Sequence, residues 1–137
     1  FLCTHNSSRS QMAEGLLRAR GGGRYVVYSA GTQPRSVHPL AIAVMREIGI
    51  DISEAAGYRA KGMGEFAGQA IDLVVTVCDD AAEECPFFPG ARRQEHWGFP
   101  DPSAATGSEE ERLAVFRRVR DGIAARIEAF VEDSSRP

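Results

Sequence analysis

Hydrophobic and polar positions alternate with two periods along the chain, and each change of period marks an element. Phe1-Leu2 reads as the end of a strand that runs into a polar, small-residue loop from Cys3 to Arg9. From Ser10 to Arg20 the apolar residues Met12, Leu16 and Leu17 fall on one side of a helix, the spacing expected of a buried stripe, and Gly21-Gly22-Gly23 ends it. Tyr25 to Ser29 is a β-rich run closed by Ala30-Gly31. Pro39 to Ile48 reads as a helix with Leu40, Val44 and Ile48 in register and Pro39 suited to its first turn; Gly49 stops it. The stretch 51–68 holds Gly57, Gly62, Gly64 and Gly68 and predicts loop with a short helix. Leu73 to Val77 is a continuous apolar, β-branched run, the pattern of a parallel strand buried on both faces. Asp79 to Glu84 suits a short helix, Pro86 and Pro89 force a loop, and Glu95 to Trp97 suits a short strand.

Phe99-Pro100-Asp101-Pro102 is a stiff loop, because each proline fixes its own φ and restricts the residue before it. Ser108 with Glu111 forms a capping box. Val115, Val119, Ile123, Ile127 and Phe130 or Val131 then recur at helical spacing, which predicts one long amphipathic helix packed on the sheet. Strands alternating with helices imply an α/β fold with a parallel sheet. With no repeat and no linker, residues 1–137 are expected to form one domain.

Composition narrows the function. Sixteen Lys and Arg against nineteen Asp and Glu leave a formal charge of −3 and a pI near 5.6, without the basic patch a nucleic-acid binder carries. The Arg-rich C-terminal segment is balanced by acids and reads as a solvated helix face. No apolar run reaches the roughly 18 residues of a membrane span and no signal peptide is visible, so a cytoplasmic protein is expected. The chain opens with Phe-Leu rather than Met, so an upstream piece, including the start of the first strand, is expected to be absent from this sequence. Three cysteines, Cys3, Cys78 and Cys85, argue against a secreted disulfide framework. They lack zinc-site spacing, and His38 and His96 lack metal-ligand companions in the sequence.

The strongest chemical motif is Cys3-Thr4-His5-Asn6-Ser7-Ser8-Arg9-Ser10. A loop entering a helix N-terminus points backbone N–H groups inward, and with the helix dipole they bind an anion. Arg9 adds a planar fork matched to tetrahedral oxyanions. The same field favours a thiolate at Cys3, making it nucleophilic. Ser10 can donate a hydrogen bond to that sulfur, and Asn6 tolerates the left-handed backbone a tight loop needs. Asp101 between two prolines is either ordinary turn chemistry or a carboxylic acid held to protonate a leaving oxygen. Cys78 and Cys85 on one helix would lie about 10 Å apart along its axis, whereas a disulfide needs Cα atoms roughly 4.4–6.8 Å apart. From spacing alone they are two core cysteines, or a pair that bonds only if the segment unwinds.

The run CTHNSSRSQMAE from Cys3 to Glu14 resembles the arsenate reductases related to low-molecular-weight protein tyrosine phosphatases. The similarity continues through Ser29-Ala30-Gly31-Thr32, Val44-Met45 and Gly49-Ile50-Asp51-Ile52-Ser53, and resumes at Asp72 to Cys78 and His96 to Pro102. Gln11-Met12 favours the reductase branch, since the phosphatases usually carry Pro after the Ser. The resemblance implies a single-domain three-layer sandwich, a four-stranded parallel sheet flanked by helices, with the site at the carboxyl ends of the strands. It also implies a relay. Cys3 attacks arsenate, held by Arg9 and the loop of Thr4, His5, Asn6, Ser7 and Ser8, while Asp101 protonates the departing oxygen. Cys78 attacks the Cys3 adduct, arsenite leaves, and Cys85 attacks Cys78 to free Cys3. Thioredoxin then reduces the Cys78–Cys85 disulfide, each transfer being thiol–disulfide exchange. Phosphate and sulfate would compete as oxyanions.

Some members of this group bind potassium through residues matching Asn6, Glu14 and Ser29, and Lys61 is a candidate substitute here. Ser8 stands where some members have a further cysteine that is not part of the relay. Ser103 stands where the tyrosine phosphatases commonly have Tyr, and 51–68 is longer than the usual connection. His5 reads as a solvent-exposed loop residue. Two other functions fit the same residues. A phosphatase acting on aryl or tyrosine phosphates needs only Cys3, Arg9 and Asp101. A non-catalytic oxyanion-binding domain of a larger polypeptide would bind phosphate without turnover. Cys78 with Cys85 separates the reductase from both. Glutathione with glutaredoxin, or mycothiol, would be the reductant if no intramolecular disulfide formed.

Overall fold

The computed structural model describes residues 1–79 and 85–134. Four strands form one parallel sheet in the order β2-β1-β3-β4, with β1 Leu2–Cys3, β2 Ala30–Gly31, β3 Ile71–Thr76 and β4 Ala91–His96. Three helices accompany it: α1 Arg9–Arg20, α2 Pro39–Arg46 and α3 Glu109–Ser134. The main core lies between helices and sheet, where Met12, Leu16, Val44, Met45, Val75, Phe116, Ile123 and Ile127 pack together. The other sheet face is closed by the 3₁₀ turn Met63–Phe66 and by Phe88, over Leu2 and Val74. Sheet, helical layer and this thinner cover make the three layers.

The capping box forms as its residues require. Ser108 N donates to Glu111 Oε1 and Glu111 N to Ser108 Oγ, both at 3.1 Å. From there α3 runs 26 residues, burying Phe116, Val119, Ile123 and Ile127 against α1 and α2. Two 3₁₀ turns, Glu54–Ala56 and Met63–Phe66, occupy the Gly-rich stretch where a short helix was expected. The β-rich run Tyr25 to Ser29 behaves differently from expectation. Tyr25 to Ser29 alternates buried Val27 and Ser29 with exposed Val26 and Tyr28, as a strand would, but the strand begins only at Ala30. Beside β1, Ala30 N donates to Phe1 O and the Phe1 amine donates to Tyr28 O, so the pairing runs to the first residue of the sequence. The helix expected across 79–84 falls largely outside the described residues.

The order 2-1-3-4 places the reversal of chain direction across the sheet between β1 and β3. Ligands of open α/β sheets bind outside the carboxyl ends of strands at such a point. Leu2 pairs with Thr76, and Val77 N donates to Leu2 O. Cys3 and Cys78 therefore leave adjacent strands at the same end of the sheet.

Candidate active site

The Cys3–Arg9 loop is clamped from outside by the segment after β2. Gln33 N donates to Thr4 O, Arg35 N to His5 O and His38 N to Ser7 O. Ser7 Oγ donates to Ser36 O at 2.8 Å, and His5 Nδ1 lies 3.0 Å from Gln33 O. His5 is thus half-buried and tied down, not the exposed residue expected. Asn6 has φ 49°, the one non-glycine positive φ among the described residues, and asparagine tolerates it best among non-glycine types. Its side chain explains why it is not glycine. Asn6 Nδ2 donates to Ser10 Oγ at 2.8 Å, while Asn6 Oδ1 accepts from Gln11 Nε2 and Lys61 N at 2.9 Å each.

Ser10 Oγ in turn lies 2.8 Å from Cys3 Sγ. Since Asn6 donates to that oxygen, the Ser10 hydrogen is available to the sulfur, the arrangement that stabilises a thiolate. Ser8 is the N-cap of α1 but makes no side-chain cap bond, and the first turn holds no acid. The N–H groups and the positive end of the helix stay available to an anion.

Arg9 is buried and reaches across to the proline-bracketed loop. Its Nη1 donates to Phe99 O at 3.1 Å and its Nη2 lies 3.9 Å from Asp101 Oδ2. The other Asp101 oxygen accepts from Ser103 N at 3.0 Å and Ser103 Oγ at 2.7 Å. Ser103 therefore orients the carboxylate, a function its sequence position did not announce. Gln11, besides Asn6, donates to Arg59 O at 2.8 Å and ties the loop to the 51–68 stretch.

The residues matched to a potassium site already have protein partners. Glu14 is buried, accepts from Ser29 Oγ at 2.5 Å, and pairs with Arg18 at 2.9 Å. Lys61 Nζ lies 3.8 Å from the same carboxylate and donates to Arg59 O at 2.8 Å. Burial pulls the Lys61 ammonium below its ordinary range, and Glu14 opposes that shift. With Asn6 Oδ1 taken by two donors and an ammonium beside Glu14, this donor set does not fit a further cation.

Cys78 and Cys85 form a disulfide with Cα atoms 5.9 Å apart. The 10 Å separation expected on a helix is not present. Cys78 is fully buried, Cys85 partly exposed, and Cys3 is a free, buried thiol. His96, which has no metal-ligand companion nearby in the sequence, acquires two in the fold. A ring nitrogen and the two disulfide sulfurs lie within 4.8 Å of one another.

Residues 1–136 match the family described as low molecular weight phosphotyrosine protein phosphatase. The chain belongs to that family. Within it, the arsenate reductase of Halalkalibacterium halodurans is 50% identical over 132 residues, 96% of this chain and 93% of that protein. A solved structure described as an arsenate reductase in reduced state superposes with a TM-score of 0.78 at 35% identity, covering 98% of this chain and 96% of that one. The thioredoxin-dependent arsenate reductase of Corynebacterium glutamicum superposes at 0.70 with 27% identity, over 98% of this chain and 61% of that one. No helix among the described residues is long and apolar enough to cross a membrane.

Proposed function

We propose that this chain reduces arsenate to arsenite by a three-cysteine relay regenerated by thioredoxin. The observation that carries the reading is the Cys78–Cys85 disulfide at the carboxyl end of β3, beside a Cys3–Arg9 oxyanion loop at the end of β1. Phosphate-ester hydrolysis has no use for that bond. The reductases among the relatives, one of them named as thioredoxin-dependent, support it.

In this reading the loop amides and Arg9 hold the oxyanion in line with Cys3. Cys3 Sγ, assisted by Ser10, displaces an oxygen, and Asp101 supplies its proton. Cys78 attacks the sulfur of the Cys3 adduct; the electron pair of the sulfur–arsenic bond goes to arsenic, and arsenite departs. Cys85 then attacks Cys78, Cys3 leaves as thiolate, and the Cys78–Cys85 bond goes to the reductant. Arsenate is reduced by two electrons, and the two relay thiols supply them. The Lys61 ammonium supplies positive charge beside Glu14, so turnover does not require potassium.

Cys3, Arg9 and Asp101 also suffice for slow aryl-phosphate hydrolysis. The deciding experiment is arsenate-dependent NADPH oxidation with thioredoxin and thioredoxin reductase, comparing the native chain with Cys3→Ser, Cys78→Ser and Cys85→Ser. All three variants are expected to lose turnover. Full activity in Cys85→Ser would exclude the thioredoxin relay and point to a small-thiol reductant. Aryl-phosphate hydrolysis without arsenate turnover, needing Cys3 alone, would make the protein a phosphatase.

A further inference from the structure

The two halves of the Cys78–Cys85 disulfide are unequally placed. Cys78 is fully buried and Cys85 partly exposed, so a protein dithiol reaches Cys85 Sγ, and the sulfur that departs is Cys78 Sγ. A thiolate released in a buried place is costly, because burial penalises the charged form. Exchange is faster the better the leaving thiolate is stabilised. Cys78 therefore needs a proton donor beside it when the bond breaks, and the roles of the oxyanion loop and Asp101 end before this step. His96 stands there. One of its ring nitrogens lies within 4.8 Å of both sulfurs, a reach that one intervening water spans. The ring is carried by the sheet: His96 closes β4 and pairs in register with Thr76, the last residue of β3. Thr76 is buried, and its Oγ1 lies 2.7 Å from His96 Nδ1. The same hydroxyl donates to Glu95 O at 3.4 Å, so its oxygen accepts from Nδ1–H. That bond sets the tautomer and makes Nε2 the nitrogen that takes up and gives away the second proton. The Nε2 edge lies over Gly98, where an added Cβ would be 3.0 Å from Nε2 and 3.6 Å from Cys78 O.

We propose that His96 is the general acid for reductive opening of the Cys78–Cys85 disulfide. The inference deepens the last step of the proposed relay and rests on that reading. It concerns the oxidised chain alone, the state in which the imidazole and the two sulfurs stand together. The attacking thiolate of the dithiol partner forms a bond to Cys85 Sγ. The electron pair of the Cys78–Cys85 bond goes to Cys78 Sγ, which takes the Nε2 proton and becomes a thiol. The partner's second thiol, giving its proton to solvent, attacks the mixed disulfide, and Cys85 leaves as a thiolate. Cys85 is partly exposed, so water stabilises that thiolate without a protein donor. The partner is oxidised by two electrons and the disulfide is reduced by two. His96 is exposed, so solvent restores its proton. Once the sulfurs have parted, nothing further is asked of the imidazole.

The test starts from native, His96→Ala and Thr76→Val chains oxidised to the Cys78–Cys85 disulfide. Single-turnover reduction by excess thioredoxin, and separately by dithiothreitol, is followed by acid quench and thiol trapping, with no arsenate present. His96→Ala should slow both reductants by a similar factor of about 100, the lower end of what a positioned acid contributes, since thiolates depart without full protonation. Thr76→Val, which loses the partner of Nδ1, should slow both by a smaller factor. Added imidazole should restore part of the rate in His96→Ala, where sodium chloride at equal ionic strength does not; a purely structural role would show no such rescue. Equal rates in native and His96→Ala chains would overturn the proposal. So would a loss confined to thioredoxin, which would make His96 a docking contact, or a loss that imidazole leaves unchanged. Arsenate turnover of the native chain is measured apart, so a chain that ignores arsenate yet shows the His96 dependence refutes the relay and not the acid.

Discussion

Replacing Gly31 by alanine should damage the oxyanion loop, whereas the same change at Gly62, its neighbour across an isolated parallel bridge, should not. Gly31 pairs with Cys3 in β2–β1. A Cβ on it would meet Thr4 O at 2.6 Å, Asn6 N at 2.8 Å and Cys3 O at 3.0 Å, all backbone atoms of the loop. Ordinary C···O contacts begin near 3.3 Å, so the loop would have to retreat by about 0.7 Å. Such overpacking costs about 1–3 kcal/mol, or about 3–12 °C in Tm for a chain of this size. The displaced groups are those that hold the anion and aim Cys3. A misplacement approaching 1 Å costs up to about 100-fold in rate, so arsenate turnover should fall about 10–100-fold. At Gly62 the nearest atom to an added Cβ is Pro34 Cγ at 3.9 Å, and φ is −84°. Alanine fits there, and the lost chain entropy of glycine makes it neutral or up to about 1 kcal/mol stabilising. Urea denaturation of the reduced chains and steady-state arsenate turnover measure both effects. If Gly31→Ala matches the native chain, or Gly62→Ala is equally harmful, the close approach is not what requires glycine at 31.

Other expectations follow from single contacts. Ser10→Ala removes a hydrogen bond to the Cys3 sulfur which, with a thiolate acceptor, is worth about 1.5–3 kcal/mol. It should slow single-turnover arsenite release about 10–100-fold and leave thioredoxin's reduction of the Cys78–Cys85 disulfide unchanged; equal slowing of both would point to a general structural defect. Because the Lys61 ammonium stands beside Glu14, turnover in potassium chloride should equal that in choline chloride at the same ionic strength, and activation by potassium would refute the substitution. His38 is held below its ordinary pKa by burial, then by Arg112, against the opposing charge of Asp101. The folded chain therefore binds fewer protons there than the unfolded one, and stability present above about pH 6.5 is lost as pH falls through the folded-state value. His38→Asn keeps an acceptor at the α2 N-cap, where His38 Nδ1 now receives Leu40 N, and should flatten the fall in urea midpoint between about pH 7 and pH 5. A slope identical to the native one would exclude His38 as its source.

These contacts differ in how far apart their partners lie in the chain, and that decides which were legible in the sequence. The Ser108–Glu111 capping box and the buried stripe of α3 are local, so periodicity and capping chemistry locate them. The Cys3–Arg9 loop is equally local, and its chemistry follows from backbone and helix dipole. What could not be read joins distant segments. Phe116, fully buried beneath α2, lies one position from the Val115 that the spacing favoured. Lys61 beside Glu14 and His96 beside the disulfide both depend on loop paths that composition does not specify.

These long-range ties converge on one helix. In α1, Arg9, Ser10, Gln11 and Glu14 lie in an unbroken buried run with apolar neighbours. A helix that buries polar residues all round breaks the amphipathic rule, and polar side chains stay buried only where partners satisfy them. Each of these four reaches a different segment: Arg9 the Asp101 loop, Ser10 the Cys3 sulfur, Gln11 the Arg59 carbonyl and Glu14 the Ser29 hydroxyl. Helix propensity, packing and polarity conflict there because the helix is an organising centre for the loops around it. Local inconsistency of this kind is expected at functional sites. The unbroken burial of polar residues along 9–17 therefore marks the site beside the cysteine.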